Sequence, residues 1–160
     1  MILSLLKKKR NQFSFDYDPA KSTIFKLKFG LDLKVASFFH TGSRIICNPA
    51  PSNTDEDWIV LVKRDLDRGL KDILRWQDWY ADSGYLPEPN DPEAFLSFRK
   101  GNLNLIFTNK PEYYLKFCAA TLLAKELNLT EKEDRLNLFR IVKGMAKGEE
   151  RGILPKTLLP

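Results

Sequence analysis

Thr41-Gly42-Ser43-Arg44 and, beginning twelve residues after Ser43, Asp55-Glu56-Asp57-Trp58-Ile59-Val60-Leu61-Val62 decide how this chain is read. The first stretch is a Gly-Ser turn. The second sets two carboxylates at i and i+2 at the mouth of an apolar run. In a β-strand, alternate residues project from one face. Asp55 and Asp57 then point the same way, a few Å apart, and Glu56 points away. Two carboxylates that close repel each other unless a cation lies between them. Hard oxygen donors so arranged suit Mg²⁺ (or Mn²⁺) carrying substrate phosphates. The Gly-Ser turn supplies a backbone able to approach phosphate closely and a hydroxyl to bond it.

Outward from these motifs the elements follow from period and punctuation. Asn48-Pro49-Ala50-Pro51-Ser52-Asn53 is a loop, because its prolines and asparagines interrupt any ladder. Trp58 to Lys63 is near-continuously apolar, as expected of a central strand covered on both faces. Pro19 to Phe39 is expected to be helical, broken near Gly30, with Val35, Phe38 and Phe39 on the inner face of the helix entering the Gly-Ser turn. Arg64 to Ala81 is expected as a second helix. Its Leu66, Leu70, Ile73 and Leu74 form one apolar stripe that Trp76, Trp79 and Tyr80 extend. Core packing rather than base stacking is the expected role of those tryptophans.

Tyr85 to Pro92 is a turn-rich loop. Phe95 to Lys100 and Leu103 to Thr108 read as strands joined at Gly101-Asn102, a type II′ hairpin signal. In a hairpin that tight, Arg99 lies opposite Asn104 and Phe98 opposite Leu105. Lys110 to Leu127 is a helix with Pro111 in its first turn. Thr130-Glu131-Lys132-Glu133 has capping-box spacing and opens a last helix ending near Gly144 or Gly148. Residues 149 to 160 read as a flexible tail.

The 160 residues suffice for one domain with a core, and 43% hydrophobic with 29% charged residues is an ordinary globular composition. No apolar run approaches bilayer length, so no membrane partner is expected. The N-terminal Met-Ile-Leu-Ser-Leu-Leu precedes Lys7 to Arg10, the reverse of secretory-signal order. With only Cys47 and Cys118, reduced cysteines in a cytoplasm are expected. A net charge of +5 favours polyphosphate or nucleic acid as a partner but is mild for a dedicated DNA-binding domain.

At Gly42-Ser43 and Asp55-x-Asp57 the chain resembles the nucleotidyltransferase fold superfamily. More widely, it is similar to the small nucleotidyltransferase-like proteins of tailed bacteriophages. The segments that carry this likeness are Phe39 to Arg44, Gly101 to Thr108 and Ala124 to Leu129, extended through Glu133-Asp134-Arg135. The resemblance covers roughly residues 31 to 147. It implies an α/β fold, a small mixed sheet of about four strands flanked by helices, with a helical C-terminal part. The domain would run over 19–147, between a basic segment at 1–18 and the tail at 148–160.

The resemblance further implies Mg²⁺-dependent transfer of a nucleoside monophosphate from a nucleoside triphosphate to an acceptor, whether RNA, protein or small molecule. For a phage-encoded protein the setting is the host cytoplasm. Asp55 and Asp57 become the catalytic metal ligands, Gly42 and Ser43 contact the β- and γ-phosphates, and Arg44 neutralises them. The superfamily's third carboxylate falls, by position, at Asn104, which has an amide oxygen but neither charge nor basicity. Arg99 beside it brings positive charge. Glu56, Asp91 and Glu93 are the carboxylates left to substitute. Two readings therefore stay open: a transferase with a variant site, and a degenerate member that binds a nucleotide, a host protein or nucleic acid without transfer.

Three further residues read more plainly. Ser43 lacks a base for covalent chemistry, because His40, the only histidine, lies three residues away on the same turn. His40 itself suits a structural hydrogen bond at a helix end. Glu133, Asp134 and Arg135 read as surface charges in a helix's first turn.

Overall fold

A computed structural model describes residues 16–151, with side chains as far as Gly144. The basic cluster Lys7 to Arg10 and most of the expected tail, residues 152–160, lie outside the described residues. The chain opens with α1 (Pro19–Phe29), fixed at its start by Asp18, whose carboxylate accepts from the Ala20 and Lys21 N–H groups ahead of a first-turn proline. Gly30 ends it in the left-handed conformation, φ 63°. Leu31, Leu33 and Val35 then run buried toward β1 (Ser37–Thr41).

That strand corrects the expectation of a helix reaching Phe39. Val35, Phe38 and Phe39 satisfy helical spacing over so short a window. Pairing with β2 (Glu56–Leu61), however, satisfies the backbone and buries both of that strand's faces. The Gly-Ser turn is thus entered from a strand and left by a single helical turn, α2 (Ser43–Ile46).

The second expected helix is shorter than predicted at both ends, forming only as α3 (Arg68–Trp76). Asp67 caps it by accepting from the Leu70 N–H. Leu70 and Leu74 are buried, whereas Ile73 is only partly covered and Trp76 is 87% exposed. Trp79 is fully buried but lies beyond the helix, just before the two-residue strand β3 (Tyr80–Ala81). Then come β4 (Leu96–Lys100), β5 (Leu103–Thr108), α4 (Pro111–Glu126) and α5 (Lys132–Arg151). The last helix continues past Gly144 and Gly148, so residues 149–151 are helical rather than tail.

These elements make an α/β fold with a five-stranded mixed sheet, one strand more than expected, in the order β1-β2-β5-β4-β3. Only β2 and β5 run parallel; the other neighbours are antiparallel. The hairpin register is the one its turn predicts, Arg99 opposite Asn104 and Phe98 opposite Leu105, with Gly101 at φ 61°. One sheet face packs Val60, Phe98, Leu105 and Phe107 against α1 and α3 through Phe25, Phe29, Leu70 and Leu74. The opposite face packs Ile59 and Leu61 against Tyr113, Tyr114 and Phe117 of α4. No helix among the described residues is long and apolar enough to cross a membrane.

Candidate functional site

Thr41, Asp57, Asn104, Arg99 and Tyr80 are consecutive register partners, one from each strand, and form a polar row across the α4 face of the sheet. The row starts in the interior. Thr41 is buried, and its hydroxyl is 2.7 Å from that of Thr121 on α4. It ends at solvent with Tyr80, which is exposed.

Gly42 follows Thr41 and turns the chain over Asp57 at φ 81°. A Cβ there would sit 2.3 Å from Asp57 Oδ2 and 2.9 Å from Asp57 Cβ, distances no side chain tolerates. The Gly-Ser turn and Asp55-x-Asp57 are therefore one site: glycine is required because the carboxylate lies against the backbone.

Asp57 is half-buried, and burial holds its carboxyl above the usual aspartate range, with the charge of Asp55 adding to the rise. The Asn104 amide opposes that rise by donating to Asp57 Oδ1 at 2.8 Å. Asp55 lies just before β2 and pairs with the Arg99 guanidinium. Arg99 Nε in turn donates to Asp82 Oδ1 at 2.7 Å. Ser97 Oγ is 2.9 Å from Asp82 Oδ2 and 2.7 Å from Asn104 Oδ1. Three carboxylates, one guanidinium, one amide and one hydroxyl thus form a continuous circuit from Asp55 round to Asp57.

A cleft of about 530 Å³ opens between this circuit and the start of α5, a size ordinary for a small-molecule site. Ser43, Asp55, Asp57 and Arg99 line one side; Lys132 and Arg135 line the other. Ile46, Leu136 and Phe139 give it an apolar wall, and the buried Thr54 hydroxyl, which also lines it, has no hydrogen-bond partner among the described residues. Arg135 is held in place: its guanidinium donates to the carbonyls of Leu129 (3.1 Å) and Thr130 (2.6 Å) and meets Cys47 Sγ at 3.1 Å.

No protein-family model, no curated protein and no solved structure matches this chain. What the site can do is accordingly argued from its own groups.

Of the residues singled out in the sequence, Gly42, Ser43, Asp55, Asp57, Asn104 and Arg99 come together. Arg44 does not join them. Its guanidinium is 3.9 Å from Glu56, which also accepts from Trp58 Nε1, and it does not line the cleft. Glu56 follows strand alternation to that side, and Asp91 and Glu93 line a different hollow. The additional carboxylate of the circuit is instead Asp82, which no spacing rule singled out. Lys132 and Arg135 also line the cleft, and Arg135 is thus more than the surface charge its place in a helix's first turn suggests.

His40 stacks on the Trp58 ring at 4.4 Å, away from the cleft, and burial lowers its pKa. It sits in a strand, not at the expected helix end. Cys47 and Cys118 are unpaired, and burial pushes the Cys118 thiol up to about 12, far from a reactive thiolate.

For a divalent cation the donor set is chemically suitable. The two carboxylates are hard ligands, and so few suffice where phosphates and water complete the shell. The Asn104 amide, as it stands, turns its nitrogen to Asp57 and its oxygen to Ser97. No group of three or more His, Cys, Asp or Glu is placed to hold a metal alone among the described residues. A cation held by this site would therefore complete its shell with water or with a ligand.

Proposed function

We propose that the cleft binds a nucleoside triphosphate with Mg²⁺ or Mn²⁺ and transfers its nucleoside monophosphate to an acceptor hydroxyl, releasing pyrophosphate. The acceptor is RNA, protein or a small molecule, and the setting is a cytoplasm. The observation that supports this reading is the close approach of Gly42 to Asp57, which brings the two motifs together at the edge of one cleft.

Each group has a task its chemistry suits. Asp55 and Asp57 hold the cation, which when bound would polarise the reacting phosphate and lower the pKa of the attacking hydroxyl. Gly42 and Ser43 receive the terminal phosphates by close backbone approach and a hydroxyl. Lys132 and Arg135 face the carboxylates across the cleft and balance the charge of the triphosphate. Ile46, Leu136 and Phe139 offer an apolar surface for the base. Arg99 engages one oxygen of Asp55, so a cation bound there would take the other oxygen or displace the guanidinium.

The Asp55–Arg99 ion pair and the uncharged Asn104 favour a second reading, nucleotide binding without transfer. Incubating the protein with nucleoside triphosphates labelled at the α-phosphate, Mg²⁺ or Mn²⁺ and host lysate separates the two. Transfer predicts label on a discrete RNA or protein band, lost in Asp55→Ala/Asp57→Ala. Binding without transfer predicts nucleotide affinity and no labelled band, with metal affinity gained in Asn104→Asp. Unchanged nucleotide affinity in Asp57→Asn would overturn both.

A further inference from the structure

The contacts joining Asp82, Ser97, Asn104 and Asp57 do not contain enough hydrogens. There are three of them: Asp82 Oδ2 to Ser97 Oγ, Ser97 Oγ to Asn104 Oδ1, and Asn104 Nδ2 to Asp57 Oδ1. A carboxylate only accepts, a serine hydroxyl donates once, and an Asn amide donates from its nitrogen end alone. With the Asn104 nitrogen toward Asp57, Ser97 donates to Asn104 Oδ1 and its contact with Asp82 lacks a hydrogen. With the amide reversed, nitrogen donates to Ser97 and Ser97 donates to Asp82. The Asn104 oxygen then faces Asp57 across a contact with no hydrogen in it. Either orientation leaves one oxygen–oxygen contact empty. In the reversed one, both facing oxygens are free to ligate a cation lying beside them.

We propose that Asp82 and Ser97 are positioning residues that turn the Asn104 amide oxygen onto the cation held by Asp57. This inference rests on the reading of the cleft as a metal–nucleotide site. Asn104 then serves as a neutral ligand where a third carboxylate would otherwise stand. The negative charge is supplied one hydroxyl further back, by Asp82. The fixed positions of the chain make this specific: Asn104 is the sheet partner of both Asp57 and Arg99, Ser97 lies two residues before Arg99, and the Asp82 N–H donates to the Ser97 carbonyl at 2.9 Å. Three strands and one backbone hydrogen bond from the start of the loop after β3 therefore hold the relay.

Mn²⁺ binding by the full chain, read by the loss of its free-ion resonance, tests this without any catalytic assay. Ser97→Ala should weaken Mn²⁺ binding about 10–100-fold, the usual cost of losing an outer-shell partner. Ser97→Thr, which keeps the hydroxyl, should recover most of it. In wild type, Mg²⁺ should shift the Asn104 side-chain amide signals, assigned by their absence in Asn104→Asp, and in Ser97→Ala it should not. Wild-type Mn²⁺ affinity in a folded Ser97→Ala, alongside its loss in Asp57→Asn, overturns the positioning role and leaves the proposed function standing. Mn²⁺ affinity equal in wild type and Asp57→Asn, or absent from both, overturns the proposed function and this inference with it.

Discussion

Two rows of residues lie side by side on the α4 face of the sheet, and they have opposite chemistry. Thr41, Asp57, Asn104 and Arg99 form one; Phe39, Ile59, Ile106 and Ser97, two residues along each strand, form the other. Both face the same helical layer. The second row is mostly apolar, with Ile59 fully buried among Ile106, Phe39 and the α4 aromatics. The first holds two charged groups that are partly buried at most, beside the buried Asn104 amide. A single step along a strand separates the part of the face that holds the domain together from the part that borders the cleft. Ser97 belongs to the apolar row by position and to the polar circuit by contact, and it is the one residue that joins them.

Ile59→Ala breaks the comparison most severely. Deleting that much of a fully buried side chain should cost about 2–5 kcal/mol of stability, read by urea unfolding. Asp57→Asn, two residues away, should leave stability unchanged or raised while removing Mg²⁺–nucleotide affinity. Equal stability losses in both variants would mean that the rows are not functionally distinct.

Gly42→Ala probes the boundary between motif and site. Its added methyl meets Asp57 in a left-handed turn, so the turn or the carboxylate must move. The expected cost is about 1–3 kcal/mol, the range for such backbone strain, together with weakened nucleotide binding. Pairing it with Asp57→Gly should return most of the stability and none of the binding. Failure of that pair to regain stability would show the turn itself, rather than the clash, to be at fault.

The smallest effect is one of pH. The folded state raises the Asp57 pKa, so it keeps that proton to higher pH than the unfolded chain does. This group's contribution to stability is therefore most favourable at low pH and falls as pH rises from the ordinary aspartate value through the raised one. Cation affinity should move the other way, rising over the same window as the proton leaves. Mn²⁺ titrations across that range check the sign, and the component due to Asp57 should vanish in Asp57→Asn.

Much of this was legible in the sequence where local rules apply. Gly101-Asn102 fixed the register that sets Arg99 against Asn104, because a tight turn leaves a hairpin no choice. Strand alternation put Asp55 and Asp57 on one side and Glu56 on the other. Residues 37–41 misled because five residues carry too few apolar positions to separate a period of two from one of 3.6. The span 64–81 misled because Trp79 is buried by the sheet rather than by a helical stripe. Asp82, Lys132 and Arg135 reach the site through tertiary contacts, and no local pattern announces those. Arg44 was close in sequence to the right turn, but the one-turn helix after Gly42 carries it toward Glu56.

The parallel pairing of β2 with β5 has a consequence in time as well as in space. Asp57 and its partner Asn104 are 47 positions apart, and Arg135 meets Cys47 across 88. Contacts of such long separation form late, since the loop they close must be ordered first. As the chain leaves the ribosome, the carboxylates emerge well before the amide that steadies them, and the cations of α5 come last. A nascent chain that stops before Lys132 already carries every strand of the sheet, yet one wall of the cleft has still to be made. The cleft is thus complete only when nearly the whole domain has been synthesised and docked.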